Sequence, residues 1–208
     1  MPSVEREELE GTLRALCGQG EFGRAVELAI QGYGEELLRL LAAILRDPER
    51  AQDAFGELSE DLVRGLSTFR WESSFRTWAY RLARNICYEF LRSPVARERP
   101  ASWIVPDDEI QVERSGTRPW QKTDVKERFR DLRERLELED RMLLILRVDR
   151  RMSWAEIARV LAGPEESKSE QALLRKGTAL RQQFQRLKAR LRALAREEGL
   201  VPLEEAAG

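Results

Sequence analysis

The stretch SFRTWAYRLARNICYEFLR, Ser74 to Arg92, constrains this chain most. At about 100° per residue, Phe75, Trp78, Ala79, Leu82, Ala83, Ile86 and Phe90 fall on one side of a helix. The opposite side collects Thr77, Tyr80, Arg81, Arg84, Asn85, Tyr88 and Arg92, with no acid among them. Periodicity alone allows a core helix with a solvated basic side. The mixture on the outer face also suits single-stranded nucleic acid: cations track phosphates, rings stack bases and an amide bonds a base edge.

The order of residues adds a resemblance. SFRTWAYRLARN resembles the promoter-melting segment of bacterial sigma-70 family factors, above all the small extracytoplasmic-function group, whose members read much like SFRTWLYRIARN. The resemblance implies that Arg76, Thr77, Tyr80, Arg81, Arg84, Asn85 and Tyr88 meet the −10 element. It extends to the loop STFRWES, Ser67 to Ser73, which in the family forms a pocket for a flipped base. Phe69, Arg70 and Trp71 there offer stacking and phosphate contact, and Ser73 a hydrogen bond.

Upstream, Val4, Leu9, Leu13 and Leu16 are spaced as a helix, and Glu21 to Ile30 reads as a second short one. Tyr33, Leu37, Leu38, Leu40, Leu41, Ile44 and Leu45 make a strongly apolar helix ending at Asp47-Pro48. Asp47 reads as an N-cap, with Pro48 in the first turn of the next helix. That helix, to about Leu66, turns Ala51, Ala54, Phe55, Leu58, Leu62 and Leu66 inward. Asp53, Glu57, Glu60 and Asp61 form an acidic outer stripe, which solvation alone would explain. RDPERAQDAFGEL also resembles the family pattern GDPEEAEDVVQEVF, departing at Gly56 and Ser59. By that resemblance the stripe docks on the clamp helices of the largest subunit of core RNA polymerase.

From Ser93 to Thr123 regular patterning dissolves among Pro94, Pro100, Pro106, Gly116 and Pro119, as expected of a linker. A second helical unit spans 124–196, opening with Phe129, Leu132, Leu136 and Leu138 and the apolar run Met142 to Leu146. SWAEIARVLAG, Ser153 to Gly163, carries a capping box of Ser153 and Glu156. LEDRMLLILRVDRRMSWAEIARVLAG resembles the start of the family's helix-turn-helix. ALRQQFQRLKARLR, Ala179 to Arg192, resembles its recognition helix, TVKSRLHRARAALR. Arg181, Gln182, Gln185, Arg186, Lys188 and Arg192 would read a −35 element, because Arg matches guanine and Gln adenine in the major groove. Lys168 to Arg196 holds nine Lys/Arg against one acid, the balance expected of a DNA-binding helix. Between these helices lies an insert, Pro164 to Gly177, longer than the family turn. It forms either a separate small helix or an N-terminal lengthening of the recognition helix; the short patch Ala172 to Leu174 favours lengthening.

The expected fold is therefore all-α, two small helical domains (1–92 and 124–196) joined by an irregular linker (93–123), with an acidic tail from 197 to 208. The chain of 208 residues has 36 Lys+Arg, 37 Asp+Glu and no histidine. No histidine means neither the commonest general base nor the commonest zinc ligand, so no enzyme, cofactor or metal site is expected. Cys17 and Cys87 read as buried free thiols in a reducing cytosol. No run reaches about 18 apolar residues, and the N-terminus lacks an export signal, so a cytoplasmic protein without membrane insertion is expected. The implied partners are core RNA polymerase and promoter DNA, with an anti-sigma factor left open. Two rival functions stay open as well: a helix-turn-helix regulator acting without polymerase, and a degenerate sigma-like interaction protein.

Overall fold

The computed structural model describes residues 3–92, 131–133, 135–198 and 200. The linker, Phe129 and most of the acidic tail lie outside the described residues. Within them the fold is all-α, with four helices in the N-terminal part: α1 (Ser3–Gly18), α2 (Phe22–Leu45), α3 (Pro48–Leu66) and α4 (Phe75–Arg92). Three more follow: α5 (Leu138–Leu144), α6 (Trp154–Leu161) and α7 (Glu170–Glu197).

Helix α2 is one continuous helix of 24 residues, not the short helix and separate apolar helix expected. Gly32 and Gly34 lie inside it. Each glycine costs about 1 kcal/mol of helix propensity, but here close packing offsets the loss. A Cβ on Gly32 would come within 2.3 Å of Leu9 Cδ2, so the glycine lets α1 lie close against α2. Leu13, Tyr33, Leu37, Leu40, Leu41, Leu58, Leu62 and Phe75 then form a fully buried centre shared by α1 to α4.

Helix α3 begins as its sequence dictates: the Asp47 carboxylate accepts from the Glu49 and Arg50 amides at 3.0 and 3.1 Å, with Pro48 in the first turn. Helix α5 runs into a π-helical turn, Ile145–Asp149, that buries Ile145 and Leu146. Helix α6 has the expected capping box. The Ser153 amide donates to Glu156 Oε2 at 2.7 Å and the Glu156 amide to Ser153 Oγ at 3.2 Å.

Helix α7 runs unbroken for 28 residues, so the insert lengthens it rather than forming a helix of its own. Ser169 caps it through the Ala172 amide, 3.3 Å away. Gly177 is buried within it, where a Cβ would lie 3.5 Å from the Trp154 carbonyl oxygen. The rest of the insert is a turn and a short 3-10 segment, Glu166–Lys168. Trp154 packs edge-on to Phe184 at 5.6 Å, and Gln183 donates to Asp140 at 2.8 Å, closing α5, α6 and α7 into one unit. That unit rests on the N-terminal helices mainly through α4 and α6.

Candidate nucleic-acid interface

The first turn of α4 is held from outside. A helix start leaves its first amides without internal partners. Here the Glu10 carboxylate, reaching from α1, accepts from the Phe75 amide at 2.7 Å and the Arg76 amide at 2.9 Å. Ser74 Oγ accepts from the Thr77 amide at 3.1 Å. Tyr33 also donates to Glu10 at 3.0 Å, and burial with the adjacent carboxylate drives the tyrosine pKa upward.

Arg76 does not face solvent. It is 2% exposed, and its Nε and Nη2 reach Glu36 at 2.7 and 3.0 Å. Burial works against its charge, but the hydrogen bond and charge of Glu36 outweigh it, so the pKa stays above the ordinary value. The guanidinium also donates to the Arg150 carbonyl at 3.3 Å and lies 5.2 Å from the Tyr80 ring centre.

The outer face of α4 differs most from expectation. Thr77, Tyr80, Arg81, Arg84 and Tyr88 were expected on an open surface, yet Tyr80 is 0% exposed and Thr77 2%. Arg81, Arg84 and Tyr88 are half-buried; Asn85 and Arg92 are exposed. Over Arg81 and Arg84 the covering element is α6 with the turn after it. Arg84 Nη1 donates to the Val160 and Ala162 carbonyls at 3.3 and 3.0 Å, capping the C-terminal end of α6. Arg81 Nη2 donates to Ser167 Oγ at 3.1 Å. The ring of Tyr88 carries the Arg84 guanidinium at 5.1 Å. These side chains spend on protein carbonyls and a hydroxyl the donors expected to meet phosphates.

The loop before α4 is built on aromatic stacking. Phe69 stacks on Trp78 at 4.8 Å and touches Trp71 at 4.9 Å, while Arg14 of α1 sits 5.8 Å from the Trp71 ring. Trp71 is held at φ 58°, a conformation unusual for a bulky side chain. Arg70 is exposed and Ser73 half-buried. Phe69, Arg70, Ser73, Trp78 and Arg81 line a cleft of about 520 Å³ whose far wall is Arg159, Ser167 and Leu173. Loop and α4 therefore do form one concavity, but the second helical unit walls it.

The two remaining surfaces are open. On α7, Arg181, Gln182, Gln185, Arg186 and Arg192 are exposed and Lys188 is half-buried, all opposite Leu180, Phe184 and Leu187. On α3, Asp53, Glu57 and Glu60 are exposed and Asp61 is half-buried. Arg64 pairs with Glu60 and Asp61 at 3.1 and 3.4 Å. Burial, then Glu89 of α4 and the other acids of the stripe, raise the Glu57 pKa. Glu89 thus belongs to the same acidic surface, which the sequence reading did not include.

Sequence reasoning also missed Glu10, Glu36, Glu166 and Ser167. Glu36 carried a signal: it sits among Tyr33, Leu37 and Leu40, so an acid on a buried stripe required a cation. Glu10 and Ser167 carried none, since each acts on a residue more than sixty positions away. The cysteines are both free; Cys87 is buried, which pushes its thiol up to about 12, whereas Cys17 is only half-buried. Among the described residues, no helix is long and apolar enough to cross a membrane.

The described residues thus bring together a helix capped from outside, an acidic helix beside it and an Arg/Gln-faced helix. Residues 29–97, from the middle of α2 past the end of α4, match the family Sigma-70 region 2. A curated relative, the RNA polymerase sigma-H factor of Pseudomonas aeruginosa, is 34% identical over 90 residues. That match covers 43% of each chain, so the chain spans less than half the length of this relative.

Proposed function

We propose that this protein is a sigma-70 family factor that binds core RNA polymerase and directs promoter-specific initiation. The observation that carries the proposal is the Sigma-70 region 2 match over 29–97, because it contains the acidic stripe, the aromatic loop and α4 together. In this reading Asp53, Glu57, Glu60 and Asp61 dock on the clamp helices of the largest subunit. Phe69, Arg70, Trp71 and Ser73 take the −10 element with the outer face of α4, and the α7 side chains read a −35 element. The chain belongs to the two-domain extracytoplasmic-function group, with 1–92 and 124–196 as its domains and α6–α7 as the helix-turn-helix. The bond-making chemistry is the polymerase's, and the site of action is the cytoplasm. Adding the protein to core polymerase and mapping transcript starts on genomic DNA tests this. New, reproducible start sites sharing −35 and −10 sequences are expected. Duplex binding without polymerase recruitment would favour a plain helix-turn-helix regulator instead.

A further inference from the structure

Helix α7 begins two turns before the segment that resembles a recognition helix. Glu170 to Gly177 form those turns, and the insert supplies them. They are fixed within the C-terminal unit itself. Glu170 pairs with Arg159 of α6 at 3.0 Å, Lys176 pairs with Glu166 at 3.2 Å, and Gly177 packs against the Trp154 carbonyl and Ala158. Held at three points, the extension is a continuation of α7 rather than a fraying end.

These contacts occupy the side toward α6 and leave the opposite face open. Gln171, Arg175 and Thr178 are exposed. At about 100° per residue they lie within about 40° of the line through Gln182, and Gln185 and Arg186 fall within about 60° of it. One polar stripe therefore runs from Gln171 to Arg186 over about 22 Å. It carries no acid, because Glu170 is turned aside to Arg159. Among the described residues, Arg175 makes no hydrogen bond or ion pair. Thr178 Oγ1 donates to the Leu174 carbonyl at 3.2 Å, which leaves its oxygen able to accept. Leu174, at the edge of the stripe, is 65% exposed. Arg, Gln and Thr are side chains that read base edges in a major groove, and an apolar group there meets a thymine methyl.

The extension lengthens the helix at its N-terminal end, the end that meets base edges in helix-turn-helix docking. Arg181 to Arg192 span about 17 Å, and the stretch from Gln171 adds about 15 Å. A straight helix cannot follow a winding groove for that whole length, so the gain is about one or two base pairs. We propose that the first two turns of α7 read base pairs beside those read by Arg181 to Arg192, with Arg175 as the principal base-reading side chain, so that the −35 element of this protein is longer than the family-like part of α7 alone would specify. The inference rests on the sigma-factor reading for the place of that element in a promoter; reading of duplex DNA by the extension does not.

The test uses the full chain, alone and with core polymerase, to select duplexes from a pool randomised through the −35 element and its flanks. The parent should select defined base pairs at one flank. Arg175→Ala removes the planar fork that matches guanine, and Arg175→Lys keeps the charge without the fork. Both should lose the flank preference while keeping the preferences at the remaining positions. Both should bind the duplex selected by the parent about fivefold or more weakly, with the salt dependence of the parent kept in Arg175→Lys. An unchanged flank preference in both variants would overturn the proposal. So would an affinity loss equal for every sequence, which marks a phosphate contact only. Selection of no sequence in either setting would overturn it as well. Flank selection by the chain alone, without recovery of core polymerase, would support the longer reading and overturn the sigma-factor one. Core polymerase recovered with a −35 element but no flank preference would do the reverse.

Discussion

Arg76 and Glu36 form a two-pronged ion pair inside the protein, with the arginine side chain 3% exposed and the glutamate 22%. The pair joins α4 to α2, and through the Arg150 carbonyl it joins both to the second helical unit. A buried charge that loses its partner is costly, so Glu36→Ala should destabilise by about 2–4 kcal/mol. Replacing both residues by apolar ones of similar size should cost much less. Urea unfolding of the single and double variants measures the difference; additive losses would show that the pair is not coupled.

Glu10 completes the start of a helix 65 residues away. Glu10→Ala should cost about 1–2 kcal/mol and speed amide exchange at Phe75 and Arg76 above that at the far end of α4. Glu10→Gln keeps an acceptor without the charge and should fall between. Hydrogen exchange at those two amides reads the effect, and unchanged rates would remove Glu10 from the account.

Two glycines in helices should respond oppositely to alanine. At Gly177 the new Cβ meets the Trp154 carbonyl at an ordinary 3.5 Å, so the gain in helix propensity should stabilise by about 0.5–1 kcal/mol. At Gly65 the Cβ would lie 2.8 Å from the Trp78 ring, which is stacked on Phe69. Gly65→Ala should therefore lower the melting temperature and disturb the tryptophan near-ultraviolet signal. Thermal unfolding followed by circular dichroism compares the two.

Glu166 gives the insert a pH dependence. The Gly163 amide, followed by Lys176, holds its carboxyl below the usual range. A carboxylate with a depressed folded value contributes stability above its unfolded value and loses it as pH falls through the folded one. The difference in unfolding stability between the parent and Glu166→Gln should be present at neutral pH and vanish below the usual glutamate range. A difference independent of pH would mean that the carboxylate charge has no part in the turn.

Burial, followed by the crowding of Glu89 of α4 and the other acids of α3, raises the Glu57 pKa. Glu57→Lys relieves that crowding, so folding stability should hold or rise while core polymerase binding weakens. Opposite signs in unfolding and pull-down would separate a docking residue from a structural one. Unchanged recovery of core polymerase across salt concentrations would count against docking here.

Local sequence determined each element whose cause is local. Asp47-Pro48 starts α3, the Ser153/Glu156 box starts α6, and apolar spacing sets the inner faces of α3 and α4. The short patch at Ala172 to Leu174 pointed to a lengthened α7, which packing of Gly177 against Trp154 then made possible. Periodicity, however, reports only that a face is polar. Tyr80, Arg81 and Arg84 look the same in sequence whether they meet water, phosphate or another helix. Only tertiary structure decided that, because the carbonyls of Val160 and Ala162 become acceptors for Arg84 once α6 ends beside it. Glu10 likewise becomes a helix cap only when α1 crosses the start of α4. Backbone donors and acceptors are common to all residues, so sequence spacing does not mark which side chain will reach them.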